Sequence, residues 1–433
     1  MIRMKRFPYG HATHPDWRMA VSLVVAQIRG RMAQSGYARN PSLGVAYFSD
    51  AFASYAEALL EALQDEFPEV SDWSGAVGAG VMATHAEYLT EPALAVMLLD
   101  LPRHAYRVFS GIAPLRAEAL PQGASAALSS TWQQALVHAD ANLPDLPDLL
   151  QELAARTGAG QLLGGLCSAS VAPVQLAWSK ALEPRHSGVF HGGISGLAFS
   201  ADAAALQSVT QGCQPIGERM RITALQDNVL LSLDGRPALE VLEEIMLVRM
   251  DTHPELATRK MRHMQVALES TDRPPSVYDG QLAPQARVCS LLGVDMRRGG
   301  IVLPESALEQ KYLRFCQRNW TAARADLLRM CAELRESLAP AHGQPLMAGG
   351  LQLAAGAEGM PDAGQERAIA GAIYISCTGR GGGYFGSENG ELELLHHVLG
   401  DIPLIGFFSQ GEIAGQQLHR YSGALLVFTQ EVA

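Results

Sequence analysis

The residues best suited to chemistry crowd into one stretch, Cys377-Thr-Gly379-Arg380-Gly381-Gly382-Gly383-Tyr384-Phe385-Gly386, between an apolar run and a helix expected to begin near Ser387. Four glycines within five positions open left-handed backbone and let a ligand approach the main chain closely. Free N–H groups ahead of a helix N-terminus favour an anion, and Arg380 adds a planar fork matched to a carboxylate or phosphate. Two readings stay open here, a small anionic ligand or a purely structural loop. A dinucleotide site fails on placement. The G-x-G-x-x-G spelling, Gly381 to Gly386, begins several residues past the strand, and Asp401 precedes the following strand, where a ribose-binding acid should come after it.

A second cluster, Pro403-Leu-Ile-Gly406-Phe407-Phe408-Ser409-Gln410-Gly411-Glu412-Ile413, carries an apolar strand into Gly411-Glu412. Glu412 is expected either on a pocket rim opposite Arg380, where the two charges would clasp a zwitterion such as an amino acid, or in a solvated turn. The expected ligand contacts are Cys377, Gly379, Arg380, Gly381, Gly382, Phe408, Gly411 and Glu412. Cys213, in a turn-rich stretch, is either a reactive thiol or an inert one. No histidine pair has metal-ligand spacing on a helix, so no metal site is expected, and His396 and His397 read as packed or solvated. His191, among small residues in Phe190-His-Gly-Gly-Ile-Ser-Gly196, is the candidate axial residue should haem bind. No Gly-x-Ser-x-Gly anchors a catalytic triad, and nothing local supports Cys377 as a nucleophile, so the chain is expected not to be an enzyme.

The elements that must position these residues follow from pattern. The 433 residues are 48 % apolar and 18 % charged, enough for a large core, with a net charge of −11 that argues against nucleic acid. No apolar run approaches the ~20 residues of a membrane span. The N-terminus reads as a mature cytoplasmic start without a signal peptide. Leu43 to Phe48 reads as a buried strand and Phe52 to Phe67 as an amphipathic helix. Val229 to Leu233 reads as a strand between turns. A long helical pattern runs from Leu308 through Tyr312, Phe315 and Cys316 to Leu338. It would hold Cys316 and Cys331 roughly 22 Å apart at ~1.5 Å per residue, too far for a disulfide. Ser270 to Gln285 and Ala355 to Gln365 read as loops.

A strand–helix–strand–strand pattern recurs. Leu43 to Trp73 is thirty residues, as is Ala372 to Ile402, and each second strand carries a glycine, Gly75 or Gly406. Leu149 to Ala155 followed by Gln161-Leu-Leu-Gly164-Gly165 resembles a third, partial copy. The expected fold class is mixed α/β (α+β): two related domains with mixed, partly antiparallel sheets flanked by helices. The expected divisions are 1–40, a helical extension, then 41–235 and 236–433.

One family matches these motifs in order. Leu43-Gly-Val-Ala-Tyr-Phe-Ser, Trp73-x-Gly-Ala-Val-Gly-x-Gly-Val, Gly212-Cys-Gln-Pro-Ile-Gly-Glu, Leu233-Asp-Gly-Arg-Pro-Ala-Leu-Glu-Val-Leu, Cys377-x-Gly-Arg-Gly and Pro403-Leu-Ile-Gly-Phe-Phe-x-x-Gly-Glu-Ile make the chain resemble the FIST proteins from about Pro41 to Thr429. The resemblance implies paired FIST N and FIST C domains and a cytoplasmic sensory protein that binds a small ligand, an amino acid or other carboxylate. It offers haem-based nitric-oxide sensing as the alternative. The forty residues before Pro41 are too few for an F-box or a kinase, so a separate signalling protein such as a kinase is the expected partner, with neither nucleic acid nor membrane.

Overall fold

Every residue of the apolar run at Leu43 is buried, and it forms the strand Leu43–Ser49. A 3-10 turn, Asp50–Tyr55, leads into the helix Ala56–Glu66, which buries Ala56, Leu59, Leu60 and Leu63. The computed structural model describes residues 5–115, 132–158, 160–167, 173–261, 264–269, 287–304, 311–339 and 367–431. Leu308 and both expected loops, Ser270 to Gln285 and Ala355 to Gln365, lie outside the described residues.

Chain contacts divide the protein into two compact units, one of residues 1–210, 327–345 and 353–433, the other of 211–326 and 346–352. The protein is mixed α/β, as expected, and the recurring pattern is a threefold repeat inside the first unit. Leu43–Ser49 runs parallel to Asp72–Gly78 across the Ala56–Glu66 helix, with Ala93–Leu99 antiparallel on its other side. Gln134–Asp140, Gln161–Cys167 and Ile194–Phe199 repeat this around the helix Leu146–Ala155. Arg367–Cys377, Leu404–Ser409 and Ser422–Glu431 repeat it again around the helix Gly390–Leu399. An edge strand completes each copy: Tyr9–Thr13, Tyr106–Ser110 and Ala205–Gln211. The N-terminal stretch holds the helix Trp17–Met32 and a first strand that pairs with Ala93–Leu99.

Each copy also lends a hairpin to a neighbour's sheet. Gly80–Ala83 of the first copy pairs with Leu404–Ser409 of the third, Glu412–Gly415 of the third with Gln161–Cys167 of the second, and Val174–Ser179 of the second with Asp72–Gly78 of the first. The exchange closes on itself, giving three six-stranded sheets. The glycines that marked the repeat explain its tightness. Gly75, Gly164 and Gly406 stand opposite Ala46, Val137 and Tyr374 in the three parallel pairs. A Cβ on any of them would sit within 2 Å of that partner's carbonyl oxygen, at 1.9, 1.9 and 1.6 Å respectively. Only glycine permits this strand spacing. One position further along, Tyr47, His138 and Ile375 are fully buried, and the Tyr47 hydroxyl lies 3.1 Å from Nε2 of His138.

The second unit is built on an antiparallel sheet that includes Met220–Gln226, Val229–Leu233, Met264–Glu269 and Tyr312–Arg318. Its core gathers Leu230, Leu242, Val266 and Phe315 against the helix Ala238–Met246. The long helical pattern is corrected here. Tyr312–Arg318 is a strand, and the helix spans Trp320–Leu338. Tyr312, Phe315 and Cys316 fit helical spacing, but Leu313 and Phe315 alternate equally well onto a buried sheet face, and a short apolar run does not distinguish the two. Cys316 and Cys331 thus lie on different elements, and all six cysteines are buried.

Candidate functional site

The strand Arg367–Cys377 delivers Tyr374, Ser376 and Cys377 to its C-terminal end, where a 3-10 turn, Thr378–Arg380, bends the chain inward. Arg380 is only 1 % exposed. Its Nε donates to Oε1 of Glu391 over 2.7 Å and Nη2 donates to the same oxygen, while Nη1 donates to the Tyr421 carbonyl over 3.3 Å. Glu391, in the first turn of the Gly390–Leu399 helix, also accepts from the Tyr374 hydroxyl at 2.7 Å and the Ser376 hydroxyl at 2.6 Å. Burial, then the Glu391 charge, holds the Tyr374 phenol well above its usual range. A buried pair supported by added hydrogen bonds is stable where a bare one would not be.

The expected fork for a ligand carboxylate is thus already filled by a carboxylate of this chain. The expected anion position has a resident too. Glu87, from the lent hairpin strand Ala86–Tyr88, accepts from the Gly382 N–H over 3.2 Å. Burial, followed by the nearby Glu391, raises Glu87 to about 7, opposed by the N–H groups of Gly382, Leu392 and Glu391. The glycine loop is half closed. A Cβ on Gly381 would meet the Phe408 ring at 2.7 Å, whereas Gly383 is exposed.

Glu412 is not on an open rim but on the strand Glu412–Gly415, fully buried. Its Oε2 accepts from the Ser422 N–H at 3.2 Å and the Ser422 hydroxyl at 2.8 Å. Among the described residues its Oε1 has no hydrogen-bond partner. Burial lifts Glu412 to about 8, with Ser422 and Arg380 pulling the other way, so it carries a proton at neutral pH. Burial and Glu412 together push the Cys377 thiol up to about 11. Phe408 and Gly411 are buried on the adjoining strand and turn, with Ser409 Oγ donating to the Gly411 carbonyl over 2.7 Å.

Comparison with known proteins decides the family. The FIST N domain matches residues 42–236 and the FIST C domain residues 238–415. The chain belongs to the FIST family. FIST domains are associated with small-ligand sensing and signal transduction. The chain is 27 % identical over 439 residues to the uncharacterized protein Rv0628c of Mycobacterium tuberculosis (strain ATCC 25618 / H37Rv), covering 98 % of this chain and 99 % of that one. It is 27 % identical over 232 residues to the uncharacterized protein Mb0898c of Mycobacterium bovis, covering 52 % of this chain and 50 % of that one.

Other expected positions of this FIST protein fall outside the cluster. Cys213 lies on the strand Cys213–Pro215 in the second compact unit, buried rather than presented in a turn. His191 ends an edge hairpin strand with its side chain 53 % exposed, and its Nε2 lies 3.2 Å from Glu57 Oε1. An axial ligand needs a sheltered apolar slot for the porphyrin, so the residues at His191 do not fit haem. Sequence reasoning missed Glu87 and Glu391. A carboxylate eleven positions after an isolated arginine was a signal for Glu391. Glu87 had none, because its hairpin reaches the loop only through the exchange between repeats.

Among the described residues, no helix is long and apolar enough to cross a membrane.

Proposed function

We propose that this FIST protein is a cytoplasmic, non-catalytic sensor that binds an amino acid or related small carboxylate beneath the Gly379–Gly383 loop. Binding is read out by a separate signalling protein such as a kinase. The supporting observation is Glu412 Oε1, a fully buried carboxyl oxygen without a hydrogen-bond partner among the described residues. Leaving such a group unpaired costs about 1–3 kcal/mol, which a ligand N–H would restore. In this reading the ligand's ammonium meets Glu412. Its carboxylate displaces Glu87 from the Gly382 N–H and the helix start, so Glu87 acts as a stand-in for the ligand's negative end. Cys377, Gly379, Gly381, Phe408 and Gly411 form the surrounding wall, and Arg380 holds Glu391 in place instead of touching the ligand. A nucleophilic thiol needs a depressed pKa, and Cys377 is shifted the other way, in keeping with binding without chemistry.

Calorimetry with an amino-acid panel tests the proposal on three proteins. The parent binds at least one member, Glu412→Gln weakens that binding tenfold or more, and Glu87→Ala strengthens it by removing the internal competitor. A parent protein that takes up no member, or a Glu412→Gln variant that binds as the parent does, overturns the proposal.

A further inference from the structure

The Gly390–Leu399 helix that holds Glu391 at its start ends on a second set of donor groups. His85 stands in the turn between Gly80–Ala83 and Ala86–Tyr88, His396 lies in the last turn of the helix, and Asp401 follows it. His85 Nε2 is 3.2 Å from Asp401 Oδ1, and the two imidazole centroids are 4.2 Å apart. One donor atom from each of the three residues lies within 4.8 Å of the others.

His396 shows why the group is more than a chance meeting. Its Nδ1 is 3.0 Å from the Gly400 carbonyl oxygen, and its Nε2 touches the Thr84 carbonyl oxygen. A neutral imidazole carries one N–H, so it can donate to only one of these oxygens while the other nitrogen turns a lone pair toward an acceptor. A cation seated beside that lone pair would convert the opposed acceptors into ligands.

We propose that His85, His396 and Asp401 form a binding site for a divalent transition-metal ion, with zinc the best match and the Thr84 carbonyl beside it. Two imidazoles and a carboxylate are a donor set zinc accepts, at about 2.0–2.2 Å per bond, which places ligand atoms ~3.3 Å apart in a tetrahedron. The side chains of His85 and Asp401 are 62 % and 70 % exposed, free to close that spacing. Thr84 is held in place, its hydroxyl accepting from the Leu404 N–H at 3.2 Å. His85 belongs to the first repeat, His396 and Asp401 to the third. A bound ion therefore clamps the lent hairpin, which also carries Glu87, to the sheet and helix that receive it.

The test uses the untagged chain, stripped with a chelator and dialysed. Titration with Zn(II) by calorimetry should show one equivalent bound, and Co(II) should develop the visible absorption of a tetrahedral site. Zn(II) should raise the Tm of the parent. His85→Ala and Asp401→Asn alter exposed side chains and should each weaken uptake at least tenfold and remove the Tm rise. His397→Ala, on the same helix but outside the cluster, should bind as the parent does. Absence of stoichiometric uptake by the parent, or parent-like binding by both His85→Ala and Asp401→Asn, overturns the proposal.

Discussion

Glu412 and Gln175 occupy the same place in two copies of the repeat. Glu412 stands opposite Gly165 and Gln175 opposite Ala76, each one step from the close-packed glycine of the sheet it joins. Each then reaches the start of its own copy's antiparallel strand. Gln175 Nε2 donates to the Gly193 carbonyl at 3.0 Å, and Glu412 accepts from Ser422. Both side chains are fully buried, and among the described residues Oε1 of each lacks a hydrogen-bond partner. The fold thus already accepts an amide where the third copy carries an acid.

Glu412→Gln should accordingly fold, and its stability relative to the parent should depend on pH. Glu412 titrates near 8 in the folded chain against 4.5 for an ordinary glutamate. Its favourable contribution is complete below pH 4.5 and disappears as pH climbs through 8. Urea denaturation between pH 5 and pH 8 should show the parent losing ground to the variant by up to about 1.4 kcal/mol per pH unit. A constant difference across that range would contradict the raised pKa.

Ligand binding should release a proton. An ammonium group favours the ionised form of Glu412, which is protonated at pH 7, so up to about one proton leaves on binding. Calorimetry in buffers of different ionisation enthalpy measures this directly. The released proton should be absent in Glu412→Gln.

Removing either member of the Arg380–Glu391 pair leaves a buried charge alone. Arg380→Ala and Glu391→Ala should each destabilise the first unit by about 3–5 kcal/mol, with the double variant losing clearly less than the sum of the two. Chemical denaturation of all four proteins checks this. Additive losses would mean that the pair is not coupled.

The three close-approach glycines should behave alike. Alanine at Gly75, Gly164 or Gly406 forces a Cβ against a carbonyl oxygen across a parallel pair, at an expected cost of about 1–3 kcal/mol or more, measured as a fall in Tm. Alanine at Gly383, which meets nothing within 4 Å, is the control.

Acid should loosen the centre of the repeat. Burial holds His138 near 3 rather than 6.5, so the unfolded chain binds its proton first. The stability His138 preserves is complete above pH 6.5 and is lost progressively as pH falls toward 3. His138→Gln, which can still bond the Tyr47 hydroxyl, should show a shallower loss over that window.

Local patterns in the sequence determined several strands and helices of the first unit, the recurring glycines of the repeat, and the family. Apolar periodicity and the backbone freedom of glycine act over a few residues, so they are written where they act. Leu43–Ser49 and Ala56–Glu66 were legible for this reason, whereas Tyr312–Arg318 was not, because its short apolar spacing suits either period. Only the tertiary structure decided what the chemistry-bearing residues do. Arg380 could be singled out, but whether its fork met a ligand or Glu391 depended on how the following helix docked. The loop's N–H groups could be counted, but Glu87 fills them from nearly three hundred residues away, carried there by a hairpin lent to another repeat's sheet. Charge pairing and burial are settled by proximity in space, and hairpin exchange makes that proximity independent of distance along the chain.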